Sequence, residues 1–157
     1  INKRGKIIMK EEMKQCLNQL IGLELLNINV ACQMLILHFD NIGIHCQTLA
    51  RIKKNDDILF TTFDYFSWDE KDDSHNDEWY FLDKYSDDII GGVVEKVELT
   101  KNNDVTLTFN NGIVIEMFVA NGYFHYVKEL EQWRILMNVD QENTYHYVVF
   151  SKHIEKQ

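Results

Sequence analysis

The chain repeats one succession of strand-like runs and turns after an interval of about 70 residues. The first copy begins at Ile21-Gly22 and contains an alternating apolar run at 35–39. The second begins at Ile90-Gly91 and contains a similar run at 105–109. Each copy then turns at a glycine and reaches an Arg-Ile pair, at 51–52 and at 134–135. This duplication predicts one domain built from two similar halves. It also disfavours a catalytic motif, because only the arginine among the repeated residues has obvious chemistry.

An α-helix is predicted ahead of the first copy, from Met9 to Leu20. Its apolar side chains recur at helical spacing, at Met13, Cys16, Leu17 and Leu20. Gly22 is predicted to end the helix. From Leu23 onward the apolar residues alternate with a period of two, which is typical of β-strands.

Hairpins are predicted at the centre of both copies. In the second copy, pairing Phe109 with Ile113 places the alternating apolar side chains of both strands on the same face of the hairpin. That register needs the three-residue loop Asn110-Asn111-Gly112, with Gly112 in the left-handed conformation. In the first copy the loop Asp40–Gly43 is one residue longer, which predicts that Leu37 pairs with Cys46 as a small core residue.

The length of 157 residues and the hydrophobic fraction of 45% fit one globular domain, residues 1–157. No apolar run is long enough to cross a bilayer, and no secretory signal sequence is evident. Three cysteines without Cys-x-x-Cys spacing favour a reducing cytoplasm. We expect an α+β fold of mostly antiparallel β-sheet, with a helix at 9–20, a first β repeat at 21–63, a connector containing a short helix at 64–89, and a second β repeat at 90–151.

The formal net charge is −9, which disfavours nucleic acid as a direct partner and favours a basic protein. Solubility alone explains the same sign of charge, so both interpretations stand. Most of the charge lies between Asp64 and Asp88, where ten acidic residues face two lysines. Seven aromatic residues share this stretch. Trp79, Phe81 and Tyr85 are expected to pack on the sheet, whereas Tyr65 and Trp68 are better candidates for exposure.

Catalytic and metal sites have little support in the sequence. His45 and Cys46 are adjacent on a strand and point to opposite faces, which disfavours a shared zinc ion. The acidic stretch lacks the spacing of an EF-hand. No Gly-x-Ser-x-Gly or Gly-rich phosphate loop occurs. We therefore expect no enzyme activity, no cofactor and no metal.

Trp133 and Arg134 fit two interpretations. Both residue types are common anchors of interfaces. However, Arg-Ile recurs in both halves, so a structural role is favoured. Trp133 is expected to close one end of the core, and Arg134 to pair with a carboxylate or with backbone carbonyls.

A family resemblance rests on four segments of the second copy: Ile90-Gly91, Val94 with Val97, Asp104 to Gly112, and Glu131 to Ile135. These segments resemble a group of small bacterial proteins. Several of that group are immunity proteins encoded beside polymorphic toxins, including those of contact-dependent growth inhibition. The resemblance covers about residues 21–150. The first copy departs from it by having Leu49-Ala50 where the second has Gln132-Trp133.

The resemblance implies stoichiometric inhibition of a bacterial toxin domain, in many cases a basic nuclease. An acidic surface would then imitate the charge of the nucleic acid substrate. The expected partner-binding residues are Tyr65, Trp68, Asp69, Glu70, Asp72, Asp73, Asp77 and Glu78. The expected partner is the toxin domain, with no direct contact to nucleic acid or membrane. The alternative is a small-molecule-binding domain with a cleft between the halves, lined by aromatics and by Arg51 or Arg134.

Overall fold

The structure is a computed structural model that describes residues 2–66, 78–122, 129–140 and 142–157. Its elements, in chain order, are α1 (Lys3–Asn18), β1 (Asn27–Ala31), β2 (Met34–Phe39), β3 (Ile42–Cys46), β4 (Ala50–Lys54), β5 (Asp57–Thr61), a 3₁₀ turn (Thr62–Phe66), α2 (Glu78–Ile89), β6 (Val94–Leu99), β7 (Val105–Phe109), β8 (Ile113–Met117), β9 (Glu131–Asn138), β10 (Thr144–Phe150) and β11 (Ile154–Lys156).

The strands form two antiparallel sheets that exchange hairpins. The six-stranded sheet has the order β1-β2-β3-β9-β10-β11, and the five-stranded sheet has the order β5-β4-β8-β7-β6. Each sheet therefore joins three strands of one repeat to a hairpin of the other, and β11 adds a sixth strand to the larger sheet. β3 pairs with β9, and β8 pairs with β4 in the equivalent position. The expected α+β class, with mostly antiparallel sheet and a short helix between the halves, is confirmed.

Hydrogen bonds between the segments after the two helices show the internal two-fold relationship. Gly22 N–H donates to Val94 O, and Gly91 N–H donates to Leu25 O. Gly91 and Val94 each lie 69 positions after their counterparts, Gly22 and Leu25. Across the same junction, the equivalent rings of Phe39 and Phe109 stack with centroids 6.4 Å apart. The duplication in the sequence thus corresponds to a two-fold arrangement in space.

Inward side chains of both sheets form one hydrophobic cluster. Both helices pack against the sheets. α2 contacts β1 at the edge of the six-stranded sheet and also stacks on Phe60 of β5. α1 contacts β9 and β11 of one sheet and β6 of the other. The helical face predicted for α1 is confirmed by the burial of Met13, Cys16, Leu17 and Leu20.

One predicted boundary is wrong. The first helix spans Lys3–Asn18 rather than 9–20, because the Asn2 side chain accepts the N–H of Gly5 and caps an earlier start. β11 follows the predicted end of the second repeat at residue 151 and pairs with β10. Within the described residues, no helix is both long and apolar enough to span a membrane.

The register of the second hairpin is confirmed and that of the first is wrong. Leu107 faces Ile115, and Gly112 has a φ of +84°. In the first copy, however, Leu37 faces Ile44 and Cys46 faces Leu35. The loop is only Asp40-Asn41, since Asn41 adopts a left-handed φ of 58° and Gly43 serves as a strand residue. Cys46 is nevertheless fully buried, as expected.

Gly112 offers a direct test of the second hairpin. We expect Gly112→Ala to lower the free energy of unfolding by about 1–2 kcal/mol, the cost of a left-handed conformation for an L-residue. A Cβ at Gly112 would also meet the Asn55 side-chain oxygen at 2.9 Å. Gly43→Ala is the control, because Gly43 lacks a positive φ and its Cβ would meet no atom closer than 3.6 Å. Equal losses for the two variants in urea unfolding would contradict this interpretation of the turn.

Candidate functional site

α2 has one face on the sheet and one face in solvent. Its inward residues lie at helical spacing: Leu82 and Ile89 are buried, and the rings of Phe81 and Tyr85 stack on Phe60 at 5.6 and 5.8 Å. This confirms the expected packing of Phe81 and Tyr85 on the sheet, whereas the side chain of Trp79 lies outside the described part of the chain. The aromatic stack fixes the orientation of the helix, so its opposite face is presented to solvent in a defined position.

The solvent side of α2 carries Asp83, Asp87 and Asp88, all exposed. The neighbouring β4–β5 turn adds exposed Asp56, and the first residue of β5 adds exposed Asp57. We call these five residues the acidic surface.

The two parts of the acidic surface are held together by nearby polar contacts. Lys54 Nζ lies 3.1 Å from Asp88 Oδ1 and joins β4 to the end of α2. Asn111 Nδ2 donates to the Asp88 carbonyl at 3.1 Å, and Asn55 N–H donates to the Gly112 carbonyl at 2.7 Å. The β7–β8 turn therefore bridges α2 and the β4–β5 turn.

The residues that sequence reasoning selected for partner binding fall mostly outside the described residues. These are Trp68, Asp69, Glu70, Asp72, Asp73 and Asp77. Tyr65 lies in the 3₁₀ turn and Glu78 begins α2, but neither side chain belongs to the described part. Sequence reasoning missed Asp56 and Asp57, although two consecutive acids in an exposed turn between strands gave a usable indication.

A second polar cluster lies on the outward face of the six-stranded sheet. We call it the histidine face: His38 on β2, His45 on β3, Glu131 and Arg134 on β9, and His146 on β10. Arg134 forms two hydrogen bonds to Glu131, at 2.5 Å each, and Arg134 Nη1 lies 2.9 Å from His146 Nδ1. Since arginine can only donate, His146 accepts at Nδ1 and carries its proton on Nε2. The expected pairing of Arg134 with a carboxylate is confirmed.

Burial and the positive charge of Arg134 lower the pKa of both His45 and His146 from the ordinary value of 6.5. His38 adds to the lowering at His45, whereas Glu131 opposes it at both residues. Both imidazoles are therefore neutral at pH 7, so each offers one N–H donor and one acceptor.

The equivalent position in the five-stranded sheet holds Arg51. Its guanidinium pairs with Glu116 at 2.5 Å and lies over the Phe118 ring at 5.1 Å. Lys53 also contacts Glu116, at 2.7 Å. Burial alone would raise the pKa of Glu116, but hydrogen bonds and charge from Lys53 and Arg51 lower it overall. Arg51 and Arg134 thus lie on the outward faces of the two sheets.

Among the described residues, no group of three or more His, Cys, Asp or Glu side chains is placed to hold a metal ion. His45 and Cys46 point to opposite faces of β3, in keeping with their alternation. Burial raises the pKa of the Cys46 thiol to about 11, so this group is a core residue rather than a reactive thiolate.

Comparison with known proteins identifies no relative: no family model, no curated protein and no solved structure matches this chain.

Proposed function

We propose that this chain is an immunity protein that binds a basic bacterial toxin domain and blocks it in the cytoplasm. The observation that carries the proposal is the exposed acidic surface, three of whose five residues belong to the acidic aromatic connector 64–89. Asp64, the first acid of that connector, accepts the N–H of Thr61 at the end of β5. The connector thus starts beside β5 and ends with α2, which carries those three acids.

The negative charge of the acidic surface would speed association with a basic partner. Negative side chains concentrated on one side attract a basic partner over about 10 Å at moderate salt and raise the rate of encounter. Lys84 is one of the cations on this side, and its Nζ lies over the Tyr85 ring at 5.2 Å. Lys54 is engaged by Asp88. The side chains of Asp56, Asp57, Asp83 and Asp87 are left to supply the attraction.

Exposed apolar side chains at the edge of the same surface can anchor a partner. Ile58 follows Asp57 in the chain and is 53% exposed, and Ile90 follows α2 and is 38% exposed. Apolar contacts inside a charged rim are the usual anatomy of a protein interface. The aromatic residues Tyr65 and Trp68, together with the acids from Asp69 to Glu78, are the sequence-based candidates for the rest of the contact.

The test is the formation of a complex with the C-terminal domain encoded by the open reading frame immediately upstream. We expect the two purified proteins to elute as a one-to-one complex that dissociates more readily as salt rises. The upstream domain should carry a basic surface. Separate elution at low salt, with both partners folded, would contradict the proposal.

A further inference from the structure

The histidine face borders a shallow groove of about 310 Å³ on the outward side of the six-stranded sheet. Gly43, Leu136, Asn138 and Thr144 are among the residues that line it, together with His38 and His45. Gly43 faces His38 across the β2–β3 pair and lies two positions before His45 on β3. Because Gly43 has no side chain, the groove stays open between the two imidazoles. A small molecule lying there would contact the apolar side chain of Leu136 and the nitrogen atoms of the histidines.

The internal two-fold relationship shows that the fold does not require a histidine here. His45 faces Arg134 in the same register in which Glu116 faces Arg51. In the five-stranded sheet the carboxylate directly neutralises its arginine. In the six-stranded sheet, Glu131 neutralises Arg134 from the same strand, β9. The imidazole of His45 occupies the position equivalent to Glu116. An arginine that faces an imidazole is less well neutralised than one that faces a carboxylate. The histidine at this position therefore indicates a role other than stabilising the fold.

We propose that the histidine face binds a small oxyanion of the sulfate and phosphate class and takes up a proton from solvent as it does so. The ligand oxygens would accept hydrogen bonds from the imidazole N–H groups of His38 and His45, both of which line the groove. The negative charge would also relieve the repulsion that a protonated His45 meets from Arg134. This proposal is independent of the proposed toxin partner, since the histidine face lies on the outward side of the six-stranded sheet and the acidic surface lies on α2 and at the β4–β5 connection.

Proton uptake follows from the groups around His45. Those facing it are His38 from β2, Arg134 and Glu131 from β9, and His146 from β10. Without a ligand, burial and the positive charge of Arg134 favour the neutral imidazole of His45. A bound oxyanion favours the charged form, so it raises the pKa of His45. By linkage, acidification must then tighten binding.

The experiment follows the histidine ring resonances by NMR in sulfate and in chloride at equal ionic strength. Sulfate keeps one charge state across the titration range of histidine, so any pH dependence belongs to the protein. We expect sulfate to raise the pKa of His45, and to bind about tenfold tighter for each unit by which the pH falls while one proton is taken up. His153, which contacts Glu129 and Glu155, is the internal control and should not respond.

Variants separate the site from a general effect of charge. His45→Gln should abolish the pH dependence of sulfate binding, whereas His153→Gln should leave it unchanged. Adenosine monophosphate in place of inorganic phosphate then identifies the source of the anion. Tighter binding with shifts at Leu136 and Gly43 indicates an organic phosphate, and equal affinity indicates the free anion. Unchanged histidine pKa values in the wild-type protein at saturating sulfate would overturn the proposal.

Discussion

Replacing Asp56, Asp83 and Asp87 by lysine is expected to slow association with the toxin domain by about 10- to 100-fold at low salt. All three side chains are exposed on the acidic surface. The substitution reverses the local field that would attract a basic partner, so the association rate should fall more than the dissociation rate rises. Stopped-flow association kinetics over a range of salt concentrations measures this, and the difference from wild type should shrink as salt rises.

A matched variant distinguishes the acidic surface from net charge. Glu11, Glu98 and Glu142 are also exposed, and they lie on α1, on β6 and ahead of β10. Reversing these three changes the net charge by the same amount. We expect a much smaller effect on association from this control. Equal slowing by the two triple variants would show that the overall charge matters and that the acidic surface is not the contact.

Replacing Trp133 by alanine is expected to lower the free energy of unfolding by about 3–5 kcal/mol, the usual loss for a buried tryptophan. Trp133 is fully buried, and its Nε1 donates a hydrogen bond to the Asn103 carbonyl at 2.8 Å. The indole therefore ties β9 of one sheet to the β6–β7 turn of the other. Denaturant unfolding followed by circular dichroism measures the loss.

Trp133→Phe is the control for this prediction, because it keeps an aromatic ring and removes the hydrogen bond. We expect a smaller loss for it than for the alanine variant. An alanine variant as stable as wild type would mean that Trp133 does not close the core between the two sheets.

Local patterns in the sequence predicted the elements well. The spacing of Met13, Cys16, Leu17 and Leu20 gave the buried face of α1. The alternation around Asn110-Asn111-Gly112 gave the register of the β7–β8 hairpin, because a shift of one residue would expose its apolar side chains. The repeated Arg-Ile pairs occupy equivalent places in the two sheets, as a structural role requires.

The exchange of hairpins between the sheets could not be predicted in the same way. Alternation tells which face of a strand is buried, but it does not identify the neighbouring strand. Pairing β3 with β9 and β8 with β4 depends on contacts far apart in sequence. The predicted register of the first hairpin was wrong for a local reason, since Asn41 adopts a left-handed conformation and the turn is shorter than expected. The histidine face depends on the same exchange, because it brings His45 of the first repeat opposite Arg134 of the second.

The most direct test of the immunity proposal is growth of cells that express the C-terminal domain of the upstream open reading frame, about 100–150 residues in size, with and without this chain. We predict growth arrest when the upstream domain is expressed alone and restored growth when both are expressed. The triple variant at Asp56, Asp83 and Asp87 should restore growth less well than the control at Glu11, Glu98 and Glu142. Arrest that persists when the wild-type chain is present and folded would contradict the proposed function.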